Sequence, residues 1–328
     1  MTKQSCQRIK HLLSMNDLTG QEINYLIDEG IKIKKSPGKW ASSLTQKSML
    51  MIFAKPSLRT RLSFEVAMTQ LGGHAIYYDI STSPLGKGKE TSGDTAMGAS
   101  GYADIIMARL FEHSHLEELA HNCKVPVING LTNFEHPCQV LADLMTVKEV
   151  FGKLKGLKLV YLGDGNNNIP HSLLFACPKV GMNIGIAAPC GKEFEPDERV
   201  LKIAHELAKK NKVKVETSPD PNKIVEDADI IVTDSWMSYH IPKEKEEERI
   251  EIFMPYQVNA QIMKKAKPTA IFMHCLPATR GQEVTAEVID GNQSVVWQEA
   301  ENRLHIQKAI ILYLLNKLAR KIPHRKSN

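Results

Sequence analysis

An α/β chain with two doubly wound parallel-sheet domains facing each other across a cleft is the fold class this sequence predicts. Three observations carry the prediction. With 328 residues the chain is long enough for two hydrophobic cores. Short apolar runs alternate with amphipathic helical stretches along most of its length, the pattern of strand–helix–strand units. The polar, chemistry-bearing clusters each stand just after one of those runs, and open α/β sheets bind ligands beyond the carboxyl ends of their strands.

The first helix is expected after Asn16-Asp17, a good N-cap pair, along Ile23, Leu26 and Ile27 towards Ile31. Met49-Leu-Met-Ile-Phe53 reads as a buried strand. Pro56 and Ser57 stop it and open a helix on Leu62, Val66 and Leu71. Ala75-Ile-Tyr-Tyr78 reads as the next strand. Residues 81–94, with Pro84, Gly86, Gly88 and Gly93, form a polar loop of a length that usually serves a function. Strand Ile105-Ile-Met-Ala108, helix 116–122 and strand Val125-Pro-Val-Ile128 follow. A helical pattern from Pro137 through Leu141, Leu144, Val147 and Val150 ends at Gly152, where the domain change is placed. The expected domains are 1–148, with a C-terminal helix 304–328 packing back onto it, and 149–303.

The second series opens with strand Leu157-Lys-Leu-Val-Tyr-Leu162, a Gly/Asn-rich turn and a helix. Strand Ile184-Gly-Ile-Ala187, helix 197–210, strand Val213-Lys-Val215, helix 221–227 and strand Ile230-Ile-Val232 continue it. After a charged excursion, in which residues 243–249 read as a solvated helix face, come strand Ala270-Ile-Phe-Met273 and a short strand Val295-Val296. The last helix, 304–317, carries a wide apolar stripe of Ile306, Ala309, Ile310, Leu312, Leu314 and Leu315.

Composition narrows the class. A hydrophobic fraction of 42% and a charged fraction of 24% are those of an ordinary globular protein. A net charge of +5, scattered along the chain, suits small anionic substrates and argues against nucleic acid. The six cysteines show neither disulfide nor zinc spacing, so no metal is expected and a reducing compartment is the default. No apolar run approaches the ~18 residues of a membrane span, and the N-terminus has no signal core. A cytoplasmic enzyme is the expectation.

The chemistry concentrates in a few stretches. Ser57, Leu58, Arg59, Thr60 and Arg61 open a helix directly after a strand, where free N–H groups carry partial positive charge and an anion docks. Guanidinium forks match phosphate oxygens two at a time. Read alone, the same residues also fit a capped helix with a solvated face. Arg109 follows the strand 105–108, and His136-Pro137-Cys138-Gln139 opens a helix with Pro137 in its first turn, so His136 and Gln139 can donate to a carbonyl oxygen. A surface ion pair and a helix cap remain the plain alternatives. Gly163-Asp-Gly-Asn-Asn-Asn-Ile-Pro-His-Ser172 has a weak look of a dinucleotide turn but lacks a third glycine. Asp234, after the strand 230–232, can hold an ammonium or cap a helix, and Cys275, in His274-Cys-Leu-Pro277, has core packing as its plain reading.

Together these stretches resemble, in order and across residues 10–317, the aspartate/ornithine transcarbamylase family. Ser57-Leu58-Arg59-Thr60-Arg61 resembles that family's Ser-Thr-Arg-Thr-Arg carbamoyl phosphate motif. The resemblance implies that Ser57, Leu58, Arg59, Thr60, Arg109, His136, Gln139 and Arg303 bind carbamoyl phosphate. It implies that Asn167, Asn168, Asp234, Ser238, Tyr239, Cys275 and Leu276 bind the amino acid, with Arg109, His136 and Cys275 catalytic. His-Cys-Leu-Pro is similar to the signature of the branch that uses L-ornithine, whereas Tyr239-His240 replaces that branch's Met-Gly pair.

The implied reaction is reversible carbamoyl transfer from carbamoyl phosphate to the δ-amine of L-ornithine, giving citrulline and phosphate. It serves arginine synthesis or catabolism, without cofactor, metal, nucleic acid or membrane, in a homotrimer. Loop 81–89 would reach a neighbouring subunit. Rivals are a transcarbamylase for another amine such as putrescine, a catalytically silent regulatory member, and, more distantly, a nucleotide-binding oxidoreductase.

Overall fold

Every strand named among the described residues pairs in parallel, in two separate sheets, as a chain that alternates strands with helices requires. The computed structural model describes residues 9–238 and 241–318. Cys6, Tyr239, His240 and the basic residues after Leu318 therefore lie outside the described residues. The chain divides into two units, the residues up to Thr132 together with those from Leu304 on, and Asn133–Arg303.

The first unit holds β1 (Ser48–Phe53), β2 (His74–Asp79), β3 (Ile105–Arg109) and β4 (Val127–Leu131), in the order β2-β1-β3-β4. β3 is buried at every position, which its Ile-Ile-Met-Ala run allows, while the edge strand β2 is partly open. Helix α1 (Gly20–Lys35) starts later than expected. Thr19 and Glu22 close a capping box there, and Asn16-Asp17 instead form a one-turn 3₁₀ helix under Ser14. α2 (Leu58–Gln70) follows β1. The loop expected over 81–94 is interrupted by α3 (Ser92–Ala99), which a Thr91–Asp94 capping box begins. α4 (His113–Asn122) connects β3 to β4.

The second unit opens with α5 (Pro137–Phe151), which ends on Gly152 at φ 71°, a left-handed cap that favours glycine. Its sheet, in the order β7-β6-β5-β8-β9, consists of β5 (Lys158–Leu162), β6 (Asn183–Ala187), β7 (Val215–Ser218), β8 (Ile230–Thr233) and β9 (Ile271–His274). Between and after these strands run α6 (Asn168–Lys179), α7 (Glu198–Asn211), α8 (Pro221–Ile224), α9 (Glu246–Phe253), α10 (Ala260–Lys265), α11 (Ala286–Ile289) and α12 (Val296–Leu314). One face of β5, β8 and β9 buries Val160, Leu162, Ile231 and Phe272 with Trp236 and Phe253. The two rings stack at 5.9 Å, a contact worth roughly 1 kcal/mol beyond the area it buries.

Two expectations fail at the C-terminal end. Val295-Val296 is not a strand: Val295 makes one hydrogen bond to the Phe272 carbonyl (3.0 Å) and Val296 already begins α12. The final helix thus starts well before residue 304 and contains Arg303, which lies inside it rather than ahead of it. Its part from Leu304 belongs to the first unit, where Tyr313 Oη donates to Glu22 Oε1 at 2.9 Å and Lys308 donates to Gln70.

Candidate functional site

In the first unit the end of β1 delivers the chain to the mouth of α2. Ser57, in extended conformation, caps the helix by accepting the Thr60 N–H on its Oγ at 3.3 Å. Ser57, Leu58, Arg59 and Thr60 therefore line the first turn. Leu58 is largely exposed, Arg59 half-buried and Thr60 buried. Parallel pairing sets Phe53 level with Arg109 at the end of β3. Arg109 is buried, and its Nη1 lies 3.5 Å from Thr60 Oγ1, a long contact that leaves room to tighten on an oxyanion. Arg61 faces elsewhere: its Nε donates to Glu65 at 3.1 Å and its guanidinium lies 4.1 Å over the Tyr77 ring.

Sequence reasoning missed Lys55. Only 4% exposed, it stands 4.5 Å over the Phe111 ring in the same strand-to-helix turn. Burial, then the Arg109 charge, pushes its ammonium down to about 7 against the pull of Glu112. The signal available was its position, a lysine between a buried strand and an anion-binding helix start.

In the second unit His136 occupies the N-cap position of α5 with Pro137 in the first turn, as the sequence implied, and its N–H donates to Ser172 Oγ at 2.9 Å. Gln139, one turn on, is fully engaged. Its Oε1 accepts from Arg303 Nη1 at 2.6 Å, and its Nε2 donates to Asp143 Oδ1 at 2.8 Å and Glu299 Oε1 at 2.9 Å. A cation on one side and carboxyls on the other leave the amide only this orientation. Glu299 then accepts the His274 N–H on Oε2 at 2.9 Å. Nothing in the sequence singles out Asp143, midway along α5, or Glu299, in the first turn of α12.

After β5, Gly163 (φ 127°) and Gly165 make the turn into α6. A Cβ on Gly165 would meet the Phe194 carbonyl oxygen at 2.7 Å, so these glycines serve the chain's own packing rather than a dinucleotide. Asn166 is exposed. Asn167 caps α6, taking the Asn168 N–H on Oδ1 at 2.7 Å, and its Nδ2 donates to Ser238 Oγ at 3.1 Å. Asn167, Asn168 and Ser238 are thereby brought together.

Asp234, after β8, accepts on Oδ1 both the Ser235 N–H at 2.7 Å and the Cys275 thiol at 3.0 Å. Burial, then the Asp234 carboxylate, pushes the Cys275 thiol well up, so the neutral thiol is its resting form. His274 accepts the Leu276 N–H on Nδ1 at 2.8 Å, and its Nε2 lies 3.4 Å from the buried Glu283 carboxylate. Leu276 is thereby held at φ 58° before the cis Leu276–Pro277 bond. Donor atoms of Asp234, His274 and Cys275 lie within 4.8 Å of one another, the one such group among the described residues, but they are already bonded to each other or to the backbone.

Arg249 departs from expectation. It is not on a solvated face but buried, donating to Asp164 Oδ2 and, at 2.8 Å, to the Trp236 carbonyl, with its guanidinium 4.9 Å over Phe253. It anchors the segment that carries Asp234 and Ser238.

Comparison with known proteins places the chain in a family. The carbamoyl-P binding domain of aspartate/ornithine carbamoyltransferases matches residues 10–149, and the Asp/Orn binding domain of the same family matches residues 155–314. Ornithine carbamoyltransferase of Carboxydothermus hydrogenoformans is 49% identical over 94% of this chain and 98% of its own, and that of Pyrococcus abyssi 50% identical over 93% and 96%. Among solved structures, ornithine carbamoyltransferase from Pyrococcus furiosus superposes with a TM-score of 0.88 at 48% identity, covering 94% of this chain and 98% of that one. Ornithine transcarbamoylase from Giardia lamblia gives 0.85 at 39%, covering 94% and 99%. The chain belongs to the aspartate/ornithine carbamoyltransferase family.

Proposed function

We propose that this chain transfers the carbamoyl group of carbamoyl phosphate to the δ-amine of L-ornithine, forming L-citrulline and phosphate. The observation that carries the reading is that one unit holds a cationic helix mouth and the other a turn of polar groups suited to an amino acid. Thr60 and Arg109 meet at the start of α2, and Cys275 is bound to Asp234 beside Asn167 and Ser238. The phosphate is assigned to Ser57, to the N–H groups of Leu58, Arg59 and Thr60, and to the Arg59 and Arg303 guanidinium groups. Thr60, Arg109 and His136 donate to the carbonyl oxygen, where negative charge grows as the amine attacks. Gln139 keeps its place in this set by fixing Arg303.

Ornithine's carboxylate is assigned to Asn167 and Asn168, and its α-ammonium to Asp234 with Ser238 and the segment continuing to Tyr239. Cys275 and the Leu276 carbonyl orient the δ-amine. That amine, with an ordinary pKa near ~10, loses its proton on desolvation. The new C–N bond forms, the C–O bond to phosphorus breaks, and phosphate leaves with the electron pair and can take up the amine's proton.

The same proposal includes a homotrimer in the cytoplasm. Leu58, Leu62 and Val66 repeat every four residues as an exposed apolar stripe on α2, and the cysteines at 123, 138, 177, 190 and 275 are free thiols. No helix among the described residues is long and apolar enough to cross a membrane. Sedimentation should give three times the 36.7 kDa chain mass. The function is tested by assaying carbamoyl phosphate with L-ornithine and with putrescine side by side. Citrulline with ornithine and little product from putrescine, which offers Asn167 and Asn168 no carboxylate, supports the reading. Preference for putrescine, or no product from either, overturns it.

A further inference from the structure

Wholly within the second unit lies a buried carboxyl pair that the reaction itself does not use. Asp143 on α5 and Glu299 on α12 are 2% and 1% exposed and hydrogen-bonded to each other. Gln139 Nε2 bridges them, at 2.8 Å to Asp143 and 2.9 Å to Glu299, while its Oε1 holds Arg303 at 2.6 Å. Glu299 spends its second oxygen on the N–H of His274, at 2.9 Å, and His274 in turn fixes the Leu276 N–H beside Cys275. An unbroken chain of short hydrogen bonds thus runs from Arg303 and Gln139 to the turn assigned to the amine.

We propose that Asp143 and Glu299 are positioning residues that couple the carbamoyl phosphate side of the site to the ornithine side, one carboxylate gripping Gln139 and the backbone of His274 at once. The inference deepens the proposed function and rests on it. A carboxylate is suited to the task because Glu299 must accept two N–H donors on two oxygens, which no amide or hydroxyl of that length can do. Two carboxyls in contact, away from water, cannot both stay ionised, so the pair holds at least one proton between them. Burial pushes both upward, Asp143 to about 7, and the Asp143 carboxylate raises Glu299 further. Arg303 opposes that rise in both, Asp234 adds to it for Asp143, and the Cys177 and Cys275 thiols face the pair as neutral groups. Above that pH Asp143 ionises while Glu299, raised further, still holds the shared proton; only its loss at more alkaline pH sets two like charges against each other and loosens the clasp.

The test is a coupling measurement on the full chain. The dissociation constant of L-norvaline, which is ornithine without its reacting amine, is measured with and without saturating carbamoyl phosphate, and the ratio is the coupling factor. The wild type should show a factor of about tenfold or more, declining only at the alkaline pH that removes the shared proton from Glu299. Glu299→Gln, which offers one acceptor to two donors, should bring the factor within about twofold of unity. In Asp143→Asn the amide gives the hydrogen bond of the protonated acid, so the factor should persist and lose its decline with pH.

A merely structural pair would lower thermal stability in these variants and leave the ratio and its pH profile as in the wild type, which overturns the proposal. Should Glu299→Gln not fold, Asp143→Asn decides alone: a wild-type pH decline in that variant refutes the shared proton. Turnover of wild type with ornithine is measured first. Its absence removes the functional reading itself, whereas normal turnover with unchanged coupling in the variants removes only the role of the pair.

Discussion

Replacing Arg249 by Met removes the anchor of the segment that carries Asp234 and Ser238, and its cost can be bounded from three contacts. The guanidinium pairs with Asp164, donates to the Trp236 carbonyl at 2.8 Å and stacks over Phe253 at 4.9 Å. Both charged side chains are buried, at 6% and 8% exposure, so deleting one leaves an uncompensated carboxylate away from water. Such a deletion costs about 3–5 kcal/mol. The stranded carbonyl would add about 1–3 kcal/mol, but the terms overlap and Asp164, already raised by burial, can take up a proton. The expected loss is therefore roughly 3–5 kcal/mol rather than the sum.

Urea unfolding followed by circular dichroism reads the cost, and steady-state kinetics on the folded variant read its reach. The KM for ornithine should rise about tenfold as the Asp234–Ser238 segment loosens, a loss of little more than 1 kcal/mol in binding. The KM for carbamoyl phosphate should stay within about twofold, because the α2 mouth belongs to the other unit. Adding Asp164→Asn should recover part of the stability, since an amide needs no cation. A loss below about 1 kcal/mol, or equal rises in both KM values, would refute the view that this pair holds the ornithine-side loop.

Other outcomes follow from the same contacts. Thr60→Val removes a donor to the developing oxyanion beside Arg109, and kcat should fall about 10²–10³-fold with circular dichroism unchanged. Cys275, its thiol held protonated by burial and Asp234, should resist iodoacetamide at pH 8 while the exposed Cys190 reacts, as mass spectrometry of the digested protein would reveal. Asp143, raised from 3.8 to about 7, contributes stability that is fully present below pH 3.8 and lost as pH climbs through 7. The urea stability of Asp143→Asn should therefore gain on wild type by roughly 3 kcal/mol between pH 5 and pH 8. Lys55, lowered to about 7, is mostly neutral at pH 8, and an arriving anion raises it. Titration calorimetry with inorganic phosphate in two buffers should then show proton uptake, absent in Lys55→Met.

Much of the fold was legible because its strands are short apolar runs closed by turn residues, and parallel pairing follows from the helices between them. α3 escaped because Ser92-Gly-Asp-Thr-Ala-Met-Gly-Ala99 has two glycines and almost no apolar face, and its capping box is what starts it. Val295-Val296 misled because β-branched residues favour strands, yet a single bond to Phe272 satisfies Val295 before α12 begins. Site residues that follow strands were readable by position. Lys55, just after β1, carried the same signal and was overlooked, whereas Asp143, Glu299, Glu283 and Arg249 were not readable, because their meaning comes from burial and from partners distant in sequence, which no local pattern encodes. Arg249 in particular sits in a run of Glu and Lys that looks wholly solvated.

The central claim, one site that takes a phosphate dianion and delivers an uncharged ornithine nitrogen to its carbamoyl carbon, is tested most directly with a bisubstrate mimic. Nδ-phosphonoacetyl-L-ornithine joins both halves through a stable bond, and calorimetric titration compares it with phosphonoacetamide and L-norvaline measured separately. The account predicts that the joined molecule binds about 10²–10⁴-fold more tightly than either half and that Arg109→Ala abolishes most of that gain. Binding no tighter than the better half, or a gain untouched by Arg109→Ala, would contradict it.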